Sequence, residues 1–126
     1  MIRGIRGATT VESNNAEDIL VKTEALFRKM VTANGVEAED VASVYVSMTN
    51  DLDAVFPAKA LRRLDGWTYV PIMCMAEATV AGALEKCIRV MMHVNTNASQ
   101  KEVEHIYLEG AVVLRPDLSL TDSKKV

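Results

Sequence analysis

The chain has 126 residues, 49% of them apolar and 25% charged, with a formal net charge of −3, the ordinary composition of one globular domain. A scarcity of aromatics and the lack of a long basic run argue against a nucleic-acid surface. No apolar stretch approaches the ~20 residues of a membrane span, and no signal-peptide core opens the chain, so a cytoplasmic setting is expected.

Strand and helix periods alternate along the chain. Ile2 to Val11 reads as a strand whose two arginines, Arg3 and Arg6, differ in parity and point to opposite faces. Asn14 or Asn15 caps a helix from about Ala16 to Asn34, with Ile19, Leu20, Thr23, Leu26, Phe27, Met30 and Val31 at helical spacing and Gly35 as its stop. Val41 to Thr49 is a second strand, with Val44, Val46 and Met48 on one face and Ser43, Tyr45 and Ser47 on the other. Pro57 opens a short helix to about Leu64, and Gly66 ends it.

Tyr69 to Met75 is a third strand, where Pro71 implies an edge or a bulge. Thr79 to Leu84 reads as a turn, and Cys87 to Val94 as the fourth strand. Ser99-Gln100-Lys101-Glu102 is a capping-box signature for another short helix. His105 to Leu108 is a last short strand, Leu114-Arg115-Pro116-Asp117 a turn, and the tail from Asp122 is polar and frayed. With no repeats and no linker, the expectation is a single α+β domain over 1–126: a mixed sheet of about five strands with helices on one face.

The fourth strand holds the most informative residue. Ile88, Val90, Met92 and Val94 form one apolar face, and Arg89 shares the other with Cys87, Met91 and His93. A guanidinium keeps its proton in a protein, and burying it unpaired costs several kcal/mol. Arg89 therefore needs an anion, either a carboxylate of the protein or a ligand. Glu77 follows a strand that carries Cys74, so it can serve as that carboxylate or join a pocket with the thiol.

No nucleophile-and-base arrangement is visible, and no glycine loop that cradles phosphates. Cys74, Cys87, His93 and His105 show no metal-ligand spacing, so free thiols, structural imidazoles and no metal or cofactor are expected. The cations Arg6, Lys59, Arg62, Arg89 and Arg115 lie instead near apolar strand or turn residues, with Tyr107 in the last strand. That set suits a small dianion bearing a hydroxyl, bound or acted on through electrostatics and restraint. Each residue also has a plainer reading. Arg6 pairs with a strand-end carboxylate; Lys59, Arg62 and Arg63 form a solvated face; Cys74 is a small hydrophobe; Arg115 is surface.

Met1-Ile2-Arg3-Gly4-Ile5-Arg6-Gly7-Ala8-Thr9-Thr10, Ala54-Val55-Phe56-Pro57-Ala58-Lys59-Ala60, Cys87-Ile88-Arg89-Val90-Met91-Met92 and Val112-Val113-Leu114-Arg115-Pro116-Asp117-Leu118 stand in this order in the chain. Together they closely resemble the monofunctional, Bacillus-type chorismate mutase family, from Ile2 to about Leu120. The resemblance implies a pseudo-α/β-barrel homotrimer with active sites between subunits. It also implies the Claisen rearrangement of chorismate to prephenate, with no cofactor or metal. The family's site falls on Arg6, Glu77, Arg89 and Cys74, surrounded by Tyr107, Phe56, Lys59, Arg62, Met73, Leu114 and Arg115. Met73 is a departure, since a small or hydroxyl-bearing residue such as threonine is expected there.

Two other readings use the same residues. One is a non-catalytic or regulatory trimer that binds a carboxylate metabolite through Arg89. The other is an enzyme similar to the imine-deaminase trimers, which also place an arginine in an intersubunit cleft. Glu77 with Cys74 and Tyr107, and the order of the motifs, favour the mutase.

Overall fold

The computed structural model describes residues 1–114. Along them run β1 (Ile2–Thr10), α1 (Ala16–Asn34), β2 (Val41–Met48), β3 (Ile72–Ala76), β4 (Cys87–Asn95) and β5 (Ile106–Tyr107). Short 3-10 helices occupy Ala38–Asp40, Pro57–Arg63 and Glu109–Leu114. The strands form one sheet in the order β3-β2-β4-β1-β5. Central β4 is antiparallel to both β1 and β2, while β3 and β5 pair parallel to their neighbours at the edges. This is the expected α+β fold with a mixed sheet.

The long helix forms where its signals lie. Asn15 is the cap, its side-chain oxygen accepting from the Asp18 amide at 3.1 Å, and Gly35 ends the helix with φ 59°. Asn14 does a different job. Its Oδ1 accepts from the Asp53 and Ala54 amides at 3.0 and 3.1 Å, tying the loop before Phe56 to the start of the helix. Ile19, Thr23, Leu26, Phe27 and Met30 are buried against the sheet, with Leu20 and Val31 at the rim.

Gly7 lets the helix approach. A Cβ there would stand 2.4 Å from the Met30 sulfur and 3.0 Å from Leu26 Cδ1. The core behind this contact includes Ile5, Val44, Val46, Ile88, Val90 and Met92, all nearly or wholly inaccessible. The Pro57–Arg63 helix closes the same side, with Ala60 and Leu61 buried and Arg63 facing Glu17 and Glu24 of α1 at 3.5 and 3.4 Å.

Several expected boundaries move, for local reasons. The third strand begins at Ile72, not Tyr69, because Trp67 to Val70 forms a turn with buried ends and an exposed Tyr69, closed by Val70 N–H on the Trp67 carbonyl at 3.2 Å. Pro71 then sits at the entry to an edge strand, its carbonyl accepting from the Val44 amide. Both capping-box bonds form: Ser99 N–H to Glu102 Oε1 at 2.9 Å, and Glu102 N–H to Ser99 Oγ at 3.3 Å. They close a single turn and no helix follows. Asn34 takes hold of Glu104 through both its amide and its carbonyl at 2.8 Å and draws the chain out. The last strand contracts to Ile106–Tyr107. The turn over Leu114–Asp117 and the tail from Asp122 lie, beyond Leu114, outside the described residues.

Candidate active site

Strand parity carries the site residues to the face of the sheet that α1 leaves uncovered. Ile88, Val90, Met92 and Val94 are buried on the helix side, so Arg89, Met91 and His93 project from the other. Register sets Ala8 opposite both Arg89 and Tyr107, Arg6 opposite Met91, and Ser47 opposite Arg89. The start of β4 is anchored as well. Thr49 Oγ1 accepts from the Cys87 amide at 3.0 Å, and Asp51 accepts from the Lys86 amide at 2.9 Å.

Glu77 is the anion that Arg89 requires. The Arg89 Nε donates to Glu77 Oε2 at 2.9 Å and Nη2 donates to Oε1, a two-point fork. Ser47 Oγ adds a third bond, donating to Oε2 at 2.7 Å. The Arg89 guanidinium holds the Glu77 carboxyl below the usual carboxylate range against the opposing pull of burial, with Ser47 assisting. Glu77 in turn raises Arg89 further above the ordinary arginine value. The Glu77 side chain is 11% exposed and that of Arg89 53%, so the acid is covered while the guanidinium reaches outward. Within one chain Arg89 is thus only half covered, on the face of the sheet opposite α1.

Beside the pair lies a cleft of about 480 Å³. Arg6, Arg89, Tyr107 and Leu114 line it, together with Tyr45, Ser47, Met75 and Met91. No carboxylate pairs with Arg6 among the described residues; its backbone amide donates to His105 Nδ1 at 2.9 Å. Leu114 reaches the cleft because the segment before it is moored to β1 and α1. Leu108 N–H meets the Ala8 carbonyl at 2.9 Å, Gly110 N–H meets Thr10 Oγ1 at 3.0 Å, and Lys22 pairs with Glu109 at 3.2 Å.

The remaining candidates stand elsewhere in the chain. Cys74 pairs with Val46 in register and so turns to the helix side of edge strand β3, half-buried. Met73 shares the open face but is 60% exposed and does not line the cleft. Phe56 is 66% exposed and Lys59 is also exposed. Arg62 spends its guanidinium on the Trp67 and Val70 carbonyls at 2.8 and 3.3 Å, which fastens the turn before β3. Arg115 lies outside the described residues.

Ser47, Tyr45 and His105 belong to the cleft or its support and were not singled out for chemistry. Ser47 and Tyr45 were legible as one face of β2; what was missing was that β2 lies beside β4. His93 is structural, 3.1 Å from Ser43 Oγ and edge-on to Tyr45. Burial pushes the Cys87 thiol up to about 11, which makes it a poor nucleophile. Among the described residues no group of three His, Cys, Asp or Glu side chains is placed to hold a metal ion, and no helix is long and apolar enough to cross a membrane.

The chain as a whole resembles known proteins along nearly its full length. The family profile described as chorismate mutase type I matches residues 2–118. Chorismate mutase AroH of Bacillus subtilis (strain 168) is 56% identical over 126 residues, covering 100% of this chain and 99% of the relative. Chorismate mutase AroH of Thermus thermophilus is 45% identical over 119 residues, covering 94% and 97%. In three dimensions, a chorismate mutase from Clostridium thermocellum superimposes with a TM-score of 0.85 at 51% identity, covering 88% of this chain and 98% of that one. An α+β sheet with an arginine–glutamate pair on its open face, matched along nearly its whole length, makes this chain a member of the type I chorismate mutase family.

Proposed function

We infer that the cleft lined by Arg6 and Arg89, with Glu77 forked onto Arg89 beside it, is where this chorismate mutase converts chorismate to prephenate. The observation that carries the reading is the Glu77–Arg89 fork at the edge of a cleft whose other cation, Arg6, has no carboxylate partner among the described residues. The substrate brings two carboxylates, an ether oxygen and a ring hydroxyl. Its rearrangement is intramolecular, so the chain needs only to bind, fold and stabilise it.

In the chair-like transition state the C–O bond breaks ahead of C–C formation and negative charge gathers on the ether oxygen. Arg89 gives Nε and one Nη2 proton to Glu77, which leaves Nη1 and the second Nη2 proton for that oxygen and a neighbouring carboxylate. Bonds to the ether oxygen strengthen as charge develops, and this differential binding lowers the barrier. Arg6 clamps a carboxylate and favours the compact conformer in which the reacting carbons meet. Glu77 accepts from the ring hydroxyl, Tyr107 supports a carboxylate, and Leu114 walls the pocket. With net charge −3, the cations Lys59, Arg62 and Arg115 give local attraction for the dianion.

Phe56, Lys59, Met73 and Cys74 do not line the cleft of their own chain. They complete it when a neighbouring copy presents them, which favours a homotrimer with shared sites. The exposure of Phe56 at 66%, Met73 at 60% and Met75 at 48% supports that assembly, since such apolar surface is normally covered. Two free cysteines and the lack of a spanning helix among the described residues favour the cytoplasm.

The test is conversion of chorismate to prephenate by purified protein without added metal or cofactor, beside Arg89→Ala, with the solution mass of both. Turnover by the wild type alone, with both proteins trimeric, is the expected result. A folded wild-type trimer that leaves chorismate unchanged would instead favour the carboxylate-binding alternative.

A further inference from the structure

We propose that Ser47 is a positioning residue that selects which oxygen of Glu77 meets the ring hydroxyl of the substrate. The proposal rests on the reading of the cleft given above. Ser47 sits on β2 directly opposite Arg89 of β4 and beside Met75 of β3, two residues before Glu77. Its hydroxyl therefore stands between the strand that carries the cation and the strand that leads to the acid.

The hydrogen-bond inventory then fixes the carboxylate. Glu77 Oε2 accepts from Ser47 Oγ at 2.7 Å and from Arg89 Nε at 2.9 Å. A carboxylate oxygen has about two lone-pair sites, so Oε2 is full. Oε1 accepts from Arg89 Nη2 and is the less crowded oxygen, with the Ala78 backbone amide a further donor to this carboxylate. The ring hydroxyl meets Oε1.

Ser47 matters because Arg89 has two employers. As charge develops on the ether oxygen, the guanidinium is drawn toward the substrate and its grip on Glu77 weakens. The serine bond is independent of that movement, since neither of its partners changes charge during the reaction. Ser47 thus holds the acid's orientation through the step in which Arg89 is most engaged elsewhere. A serine–carboxylate bond has no such geometric consequence if Glu77 serves only to neutralise Arg89.

The experiment compares wild type, Ser47→Ala and Ser47→Thr. It measures kcat and KM for chorismate, and inhibition constants for two unreactive dicarboxylate ring analogues that differ only in the ring hydroxyl. Ser47→Ala should lower kcat/KM roughly tenfold, the ordinary effect of losing a hydrogen bond to a charged group. The same variant should erase most of the preference for the hydroxylated analogue while leaving affinity for the deoxy analogue unchanged. Ser47→Thr, which keeps the donor, should restore both. Equal weakening of both analogues would mark Ser47 as merely structural, and an intact hydroxyl preference in Ser47→Ala would overturn its role outright. Wild type that does not convert chorismate would sink the reading of the cleft itself, a failure visible before any variant is compared.

Discussion

One sheet presents two faces that solve opposite problems. On the helix side, Ile88, Val90, Met92 and Val94 are buried in one core with residues of α1 and the Pro57–Arg63 helix. On the open side, the same strand offers Arg89, Met91 and His93, half-buried or exposed, and the polar groups there are tied to one another through Glu77, Ser47 and Ser43. The helix side excludes water by packing alone. The open side keeps charge available by pairing it only in part. Stability is thus concentrated on one face and, on the function proposed, chemistry on the other, so variants of each face should separate the two.

The largest effect is expected from the covered face. Phe27→Ala removes a fully buried ring and should cost ~3–5 kcal/mol, read as a fall in Tm or in the denaturant midpoint. At low temperature the residual folded protein should retain its kcat. A large kcat loss in that folded fraction would show that the two faces are coupled. Next comes Arg89→Ala, which should raise the barrier by ~3–4 kcal/mol in kcat/KM with little change in Tm, since the side chain is half exposed. Lysine at the same position should rescue little, because the two-point fork to Glu77 is lost. A matching collapse of Tm would place Arg89 in the stability ledger instead. Gly7→Ala should cost a further ~1–3 kcal/mol in stability, because the added methyl meets the fully buried Met30 and Leu26.

This division was legible in part from residue order. Parity alone separated Arg89 from Ile88 and Val90, and the helix from Ala16 to Asn34 forms as its caps and spacing dictate. The need of Arg89 for an anion follows from the chemistry of its side chain, and Glu77 answers it. Ser47 was beyond reach because parity tells which residues share a face, not which strand lies alongside. The order β3-β2-β4-β1-β5 is set by long-range packing. Ser99 to Glu102 shows the converse limit. A local signal was read correctly, both of its bonds formed, and Asn34, far away in the chain, overrode the helix it announced. Cys74 illustrates a third kind of gap: its strand is legible, but not that its register with Val46 turns it away from the cleft.

The smallest expected effect concerns how the open face is held at its edge. β5 pairs with β1 only at Ile106 and Tyr107, and just before that pairing the His105 imidazole supplies the acceptor for the Arg6 amide. Nδ1 must be unprotonated to accept, so the neutral ring carries its proton on Nε2. Burial lowers the His105 pKa below the ordinary histidine value of 6.5, which keeps the ring neutral near pH 7. Because the folded value is depressed, this contribution is complete above 6.5 and is lost as pH falls through the lowered value. Protonation puts a donor opposite a donor and releases the backbone that carries Arg6. The loss should be about 1 kcal/mol, seen as a modest rise in KM below pH 6.5. Glu77 is likewise held below its ordinary 4.5, chiefly by its bond to Arg89. His105→Gln retains an acceptor that does not titrate, and should flatten the rise in KM that the imidazole causes. A rise in KM that persists in His105→Gln would mean that the Arg6 strand is held by its ladder alone, and that the edge of the open face does not bear on its chemistry.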